Sequence, residues 1–215
     1  MLVKKQHRNG AYNPKVALLV VGIASCIMAT FLFMPGGNHA KPPSPPSLQP
    51  GETAMVTVRV FNSNGQLSEP VTMAKVVRTE EEWKKRLTPE QYRVARNSGT
   101  EPAFCGNLLD NKKDGVYTCV CCQLPLFASN AKFNSGTGWP SFFQPICKEN
   151  VTEKSDDAYG MARVEINCAR CDAHLGHVFE DGPRDKTGLR FCLNSESLEF
   201  TEQGSLAKLA EGGAK

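Results

Sequence analysis

The chain has 215 residues, with 25 Lys and Arg against 22 Asp and Glu, nine Cys and fourteen Pro. That length admits one ordinary domain with appendages or two very small ones, and 40% hydrophobic with 22% charged residues excludes wholesale disorder. Residues 1–50 hold no acid and five bases (Lys4, Lys5, Arg8, Lys15 and Lys41), which leaves 20 basic and 22 acidic residues in 51–215, a balance of −2. A nearly neutral body argues against nucleic acid as the partner, because phosphate binding needs clustered positive charge.

Residues 1–15 form a basic N-terminus, and 16–34 (VALLVVGIASCIMATFLFM) an uncharged, mostly apolar run. As a helix the run spans roughly 28 Å, close to the hydrocarbon thickness of a bilayer, and longer than the apolar core of about 7–15 residues usual in a cleaved signal peptide. The expectation is a transmembrane anchor, with a signal peptide as the alternative. Bases ahead of it leave the N-terminus cytoplasmic and place everything after residue 35 on the exported, extracytoplasmic side. Cys26 acts there as a small apolar residue. Residues 35–53 read as a linker, since 35–50 alone contain six of the fourteen prolines and so form an extended, semi-stiff spacer.

Strand-like alternation begins at 54, with Val56, Val58 and Val60 on one face. The turn-rich NSNG at 62–65 and a second run through Val71–Val77 predict a β-hairpin over 54–78. Thr79 ahead of Glu80–Glu82 predicts a capped short helix, and Thr88-Pro89-Glu90 opens a second through Ala95. Beyond residue 100, GVYTCV, RVEINC and LRFCLN alternate with Gly- and Pro-rich turns. The fold class is therefore mainly β, a small antiparallel domain with short N-terminal helices, followed by a flexible tail at 204–215.

Cys119-x-x-Cys122 and Cys168-x-x-Cys171 are two knuckles. Each C-x-x-C turn can present two thiolates to one ion, and two such turns complete a closed, structural tetrahedral Zn2+ site. Disulfides are the alternative in an exported protein. A redox dithiol is a third reading, without the βαβ context expected of it. Between the knuckles, SGTGWPSF holds Trp139 between Gly138 and Pro140, as a core residue or as an aromatic wall for an apolar ligand group. After the second knuckle, HLGHVFEDGP carries His174 and His177 three positions apart. With four Cys already available, they are not needed as ligands, which favours catalysis. RFCLNS places Cys192 near Arg190 and Asn194, where a cation and hydrogen-bond donors favour the thiolate; a buried inert Cys is the bland alternative.

GTEPAF, YTCVCC, SGTGWPSFFQP, the second C-x-x-C, HLGHVFEDGP and RFCLNSESLEF occur in order, and together they resemble methionine-R-sulfoxide reductase B over roughly residues 79–203. The resemblance implies a fold of two antiparallel sheets (a β-tent) and one structural zinc on Cys119, Cys122, Cys168 and Cys171. It makes Cys192 the nucleophile, with Trp139, His174, His177, Asp181 and Asn194 lining the substrate pocket and Arg190 beside them. Gln123 stands where the family usually has glycine and Phe191 where it has tyrosine; Cys121 and Cys147 are extra thiols.

The implied chemistry is attack of a thiolate on the sulfoxide sulfur while an acid protonates its oxygen, leaving a Cys192 sulfenic acid. His177, with His174 beside it, is the expected acid, because imidazole titrates near neutral pH. Many members carry the resolving thiol in the SGTGW loop, but that position is Thr137 here. Others carry it at the FCG position, so Cys105, between Pro102 and Gly106, is the expected resolving Cys, with Cys147 second. The expected partners are methionine-R-sulfoxide in oxidised exported proteins, a thioredoxin-like reductant and the membrane, with a monomeric enzyme. A non-enzymatic zinc module and a cysteine hydrolase using Cys192 and His177 are the competing classes.

Overall fold

The computed structural model describes residues 54–211, apart from 158, 159 and 161. The expected anchor at 16–34 and linker at 35–53 lie outside the described residues. Within them, no helix is long and apolar enough to cross a membrane.

Strands β1 (Met55–Val58) and β2 (Val71–Ala74) pair antiparallel, Val56 opposite Met73 and Val58 opposite Val71. The NSNG turn closes as the sequence suggests. Asn62 Oδ1 accepts from the amides of Asn64 and Gln66, and Gly65 supplies the positive φ. Helix α1 (Glu80–Arg86) and helix α2 (Pro89–Ala95) each begin with a reciprocal capping box, Thr79 with Glu82 and Thr88 with Gln91. Short as they are, both are anchored by burial, through Trp83 in α1 and Val94 and Ala95 in α2.

The remaining strands form two antiparallel sheets. One is β11 (Leu198–Glu202), β3 (Gly115–Cys119) and β4 (Pro125–Ala128), in that order. The other has six strands: β5 (Lys132–Phe133), β6 (Ser141–Phe142), β10 (Arg190–Leu193), β9 (His174–Phe179), β8 (Arg163–Cys168) and β7 (Val151–Asp156). The two-sheet expectation holds for the domain, and the N-terminal hairpin adds a third sheet of two strands.

Aromatic rings join the two larger sheets. Tyr117 meets Phe142 edge-on at 4.9 Å between centroids, Phe127 meets Phe142 at 4.8 Å, and Phe127 meets Phe191 at 5.6 Å. Each ring buried here contributes about 2–3 kcal/mol by removal from water. Because strand side chains alternate, turning Phe191 into this core turns Cys192 to the opposite face of β10. The core face of the six-stranded sheet thus holds the fold together, and its other face is left for chemistry.

Asn150, fully buried, stitches the hairpin to the domain: Oδ1 accepts from Arg59 N at 2.8 Å, and Nδ2 donates to the carbonyls of Arg59 and Pro125 at 2.8 and 2.7 Å. Where a flexible tail is expected, Gln203–Ser205 form a 3-10 turn and Lys208–Glu211 a short helix. The reason is Leu206, which is buried with Phe61 and Val116 in a small second core.

Candidate metal centre and active site

The two knuckles are the same turn built twice. After β3, Cys119 N donates to Leu124 O at 2.9 Å and Gln123 N to Cys119 O at 2.8 Å; after β8, Cys168 N donates to Ala173 O and Asp172 N to Cys168 O, both at 2.9 Å. Each turn needs a left-handed residue after its second Cys, Gln123 at φ 60° and Asp172 at φ 56°. That requirement explains why glycine would suit position 123.

All four cysteines are buried, and their sulfurs lie within 4.8 Å of one another. Cys119 and Cys171 approach to 3.6 Å and Cys122 and Cys168 to 3.5 Å. A tetrahedral ion with thiolates at 2.3 Å needs sulfurs about 3.8 Å apart, so the set fits a metal ion, and the four thiols are free rather than paired in disulfides. One knuckle hangs from each large sheet, so an ion here would tie the two sheets together. Val76 N donates to Arg170 O (2.8 Å), Arg96 Nη1 to Cys171 O (2.7 Å), and Lys75 pairs with Asp172 (2.6 Å). The hairpin and α2 thereby brace the second knuckle. Cys121 is buried alongside.

On the open face of the six-stranded sheet, the register places Ser141, Cys192, His177 and Glu165 in one row across β6, β10, β9 and β8. Two histidines three apart on a regular strand would point to opposite faces. Here Ile166 opposes Gly176 but Asn167 opposes His174, so Leu175 is an extra residue and the parity flips. Both imidazoles consequently share a face, centroids 5.5 Å apart and edge-on. Gly176 makes the bulge possible: its φ is +156°, and a Cβ there would come within 2.0 Å of Cys192 O.

His174 Nδ1 lies 2.6 Å from Glu165 Oε1, and His177 Nε2 lies 2.7 Å from Asp156 Oδ2, an oxygen that also accepts from Arg163 Nη2 at 2.7 Å. Burial pulls the His174 imidazole below its ordinary pKa, against the raising effect of Glu165.

Cys192 is half-buried, with Thr137 Oγ1 at 3.9 Å from its sulfur. The sequence leads one to expect a lowered thiol pKa, but burial pushes it up; Arg190, Thr137 and Ser141 pull in the opposite direction without overcoming that desolvation. Asp181, expected at the pocket, contacts Arg190. Its exposed carboxylate grips Arg190 at both Nε (2.8 Å) and Nη2 (2.9 Å), and so holds the guanidinium near Cys192 and over the Phe179 ring.

Asn194 is committed to the fold. Its Oδ1 accepts from Glu101 N at 3.0 Å and its Nδ2 donates to Leu175 O at 3.2 Å. Glu101, which the sequence does not single out, is the hub of this corner. Its carboxylate accepts from the amides of Ser195 and Glu196, and its carbonyl accepts from Trp139 Nε1 at 3.1 Å. Trp139 is half-exposed, an intermediate between the two readings of it. A groove of about 600 Å³ runs outward from Trp139, Pro140 and Ser141 past Phe104 and Phe133. Phe104 sits at φ 64° and donates its amide to Gly138 O at 2.8 Å, which ties the segment carrying exposed Cys105 to the loop whose Thr137 touches Cys192. Cys147 is half-buried, and burial pushes its thiol up.

A sequence model of the SelR domain matches residues 87–202. The chain is 53% identical to the peptide methionine sulfoxide reductase MsrB of Chromohalobacter salexigens over 126 residues, 59% of this chain and 95% of that protein. It is 58% identical to the protein of the same name in Burkholderia multivorans over 119 residues, 55% and 83% of the two chains. With that of Methanosarcina mazei it shares 53% over 137 residues, 64% and 97%. The four clustered cysteines and the residues around Cys192 all fall in the matched segment, and this chain belongs to the SelR-domain family, that of the MsrB reductases.

Proposed function

We propose that this chain reduces methionine-R-sulfoxide, free or in proteins, to methionine at Cys192. One arrangement carries the reading: a half-buried thiol in register with His177, flanked by Arg190, and reached by the loop that bears Trp139. The Cys192 thiolate attacks the substrate sulfur, and the histidines supply the proton that its oxygen needs. Oxygen passes to Cys192 as a sulfenic acid and methionine leaves. Trp139 packs on the terminal S-methyl group and orients the sulfur, while Asp181 acts through Arg190. Cys119, Cys122, Cys168 and Cys171 would hold a structural Zn2+, which would cross-link the sheets.

The test is to incubate the protein with each pure methionine sulfoxide epimer and dithiothreitol and to count methionine. The R epimer should be consumed and the S epimer left nearly untouched, because the Trp139 side and the histidine side of the pocket are chemically different. Equal rates would overturn the reading.

Cys105 is the proposed resolving thiol, supported by its exposure and by the tether of its loop to the Thr137 loop. It condenses with the sulfenic acid to a Cys105–Cys192 disulfide, which a thioredoxin-like reductant reopens. Cys105→Ser should still release one equivalent of methionine per enzyme, then turn over slowly with thioredoxin. Unimpaired thioredoxin-driven turnover, with a Cys147–Cys192 disulfide found by mass spectrometry, would move the role to Cys147. The apolar run at 16–34 behind a basic N-terminus supports a membrane-anchored form, its reductase domain on the exported side repairing exported proteins.

A further inference from the structure

His174 is 3% exposed, yet its Nε2 is buried without a hydrogen-bond partner. Leaving such an atom unsatisfied is costly in a folded protein, and at a site it points to a group that arrives with the ligand. The ring is fixed from its other side. Glu165 Oε1, itself buried and steadied by Asn167 Nδ2 at 3.1 Å, sits 2.6 Å from Nδ1. A carboxylate at that distance holds a proton on Nδ1 in both charge states of the imidazole, and so dedicates Nε2 to the ligand.

The second histidine is built differently. Asp156 serves His177 but shares the same oxygen with Arg163, so much of its charge is compensated. Glu165 has only an amide beside it, with Lys154 across the strand pair. The charged or titratable groups acting on the His174 ring are Glu165 from β8, His177 on its own strand and Asp156 from β7, with Lys154 of β7 in register opposite Glu165.

We propose that Glu165 is a positioning residue of the reduction: it locks His174 with Nδ1 occupied, so that Nε2–H becomes a donor to the sulfoxide oxygen beside His177. This deepens the function proposed above and rests on it. As the Cys192 thiolate attacks, the imidazolium proton on Nε2 goes to the sulfoxide oxygen. That oxygen moves to Cys192 Sγ, which is oxidised by two electrons while the substrate sulfur is reduced by two. His174 is left neutral, with Nδ1–H still donating to Glu165. Burial disfavours the imidazolium at this position, and Glu165 opposes that, first through its hydrogen bond to the ring and then through its charge.

Glu165→Gln keeps an acceptor for Nδ1–H and removes the charge. With R-sulfoxide and dithiothreitol, kcat should fall about tenfold or more with KM little changed, and the loss of activity at high pH should begin about one unit lower. A residue with only a structural role would lower activity without moving the pH profile, and an unmoved profile overturns the proposal. A second measurement needs no variant. Nitrogen NMR of the wild-type protein should find neutral His174 protonated on Nδ1, and a proton on Nε2 in the neutral form would overturn the proposal. If the wild-type protein reduces neither epimer, the proposed function itself fails; the NMR result still stands or falls on its own.

Discussion

Replacing Cys192 by serine is expected to reduce turnover by roughly a thousandfold or more, because the residual rate would depend on a hydroxyl that neither ionises near neutral pH nor accepts the oxygen. The same change should barely touch the fold. Serine is nearly isosteric, β10 keeps its pairing to β6 and β9, and Cys192 is not among the four clustered sulfurs. Thermal stability and metal content should therefore match the wild type, with a shift in stability within about 1 kcal/mol. Methionine formation, circular dichroism and metal analysis on one preparation check all three. Alkylation of the wild-type thiol adds a pH signature. Burial raises its pKa, so the alkylation rate should keep rising above the range of an ordinary thiol; Arg190→Ala, which removes the opposing charge, should push that rise to still higher pH. A Cys192→Ser protein that retains turnover would remove Cys192 from the chemistry.

What was legible in the sequence is what local geometry dictates. The C-x-x-C turns declare themselves because two thiols separated by a two-residue turn have few other uses, and the capping boxes at Thr79 and Thr88 are complete within four residues. The row of Ser141, Cys192, His177 and Glu165 was not legible, since it depends on the pairing of four strands. Spacing alone would have sent His174 and His177 to opposite faces of β9; the extra residue at Leu175 reverses this, and only Gly176 in HLGH hints at it. Glu101, Asn150 and Glu165 were missed for a related reason. Glu101 meets Asn194 across 93 residues and Asn150 meets Arg59 across 91, and a buried polar residue gives no periodic signal of its own. The partners of Asn194 were not legible either. The family motif marks it as a pocket residue, and its side chain bonds Glu101 and Leu175, so it is linked to Trp139 through the Glu101 corner.

Cys119→Ser or Cys168→Ser is expected to unfold the domain or to lower its Tm by at least about 15 °C, with loss of metal in the same samples. The magnitude follows from two quantities. Binding of a structural zinc to four thiolates is worth about 10–16 kcal/mol at neutral pH, whereas a whole domain is stable by only about 5–15 kcal/mol. The architecture makes the loss global. Cys119 and Cys122 close the turn between β3 and β4, and Cys168 and Cys171 close the turn between β8 and β9, so the ion would bridge the two sheets whose aromatic core it overlies. Removing one ligand also leaves three buried thiols with no ion to stabilise their charged form. Cys121→Ser supplies the control. It is buried in the same knuckle but lies outside the four-sulfur cluster, so it should keep its metal and most of its stability. A strong chelator should reproduce the ligand variants in the wild-type protein, and added Zn2+ should reverse the effect. If the native protein instead contains no metal and mass spectrometry finds two disulfides among these four cysteines, the cross-link between the sheets is covalent and the metal centre falls.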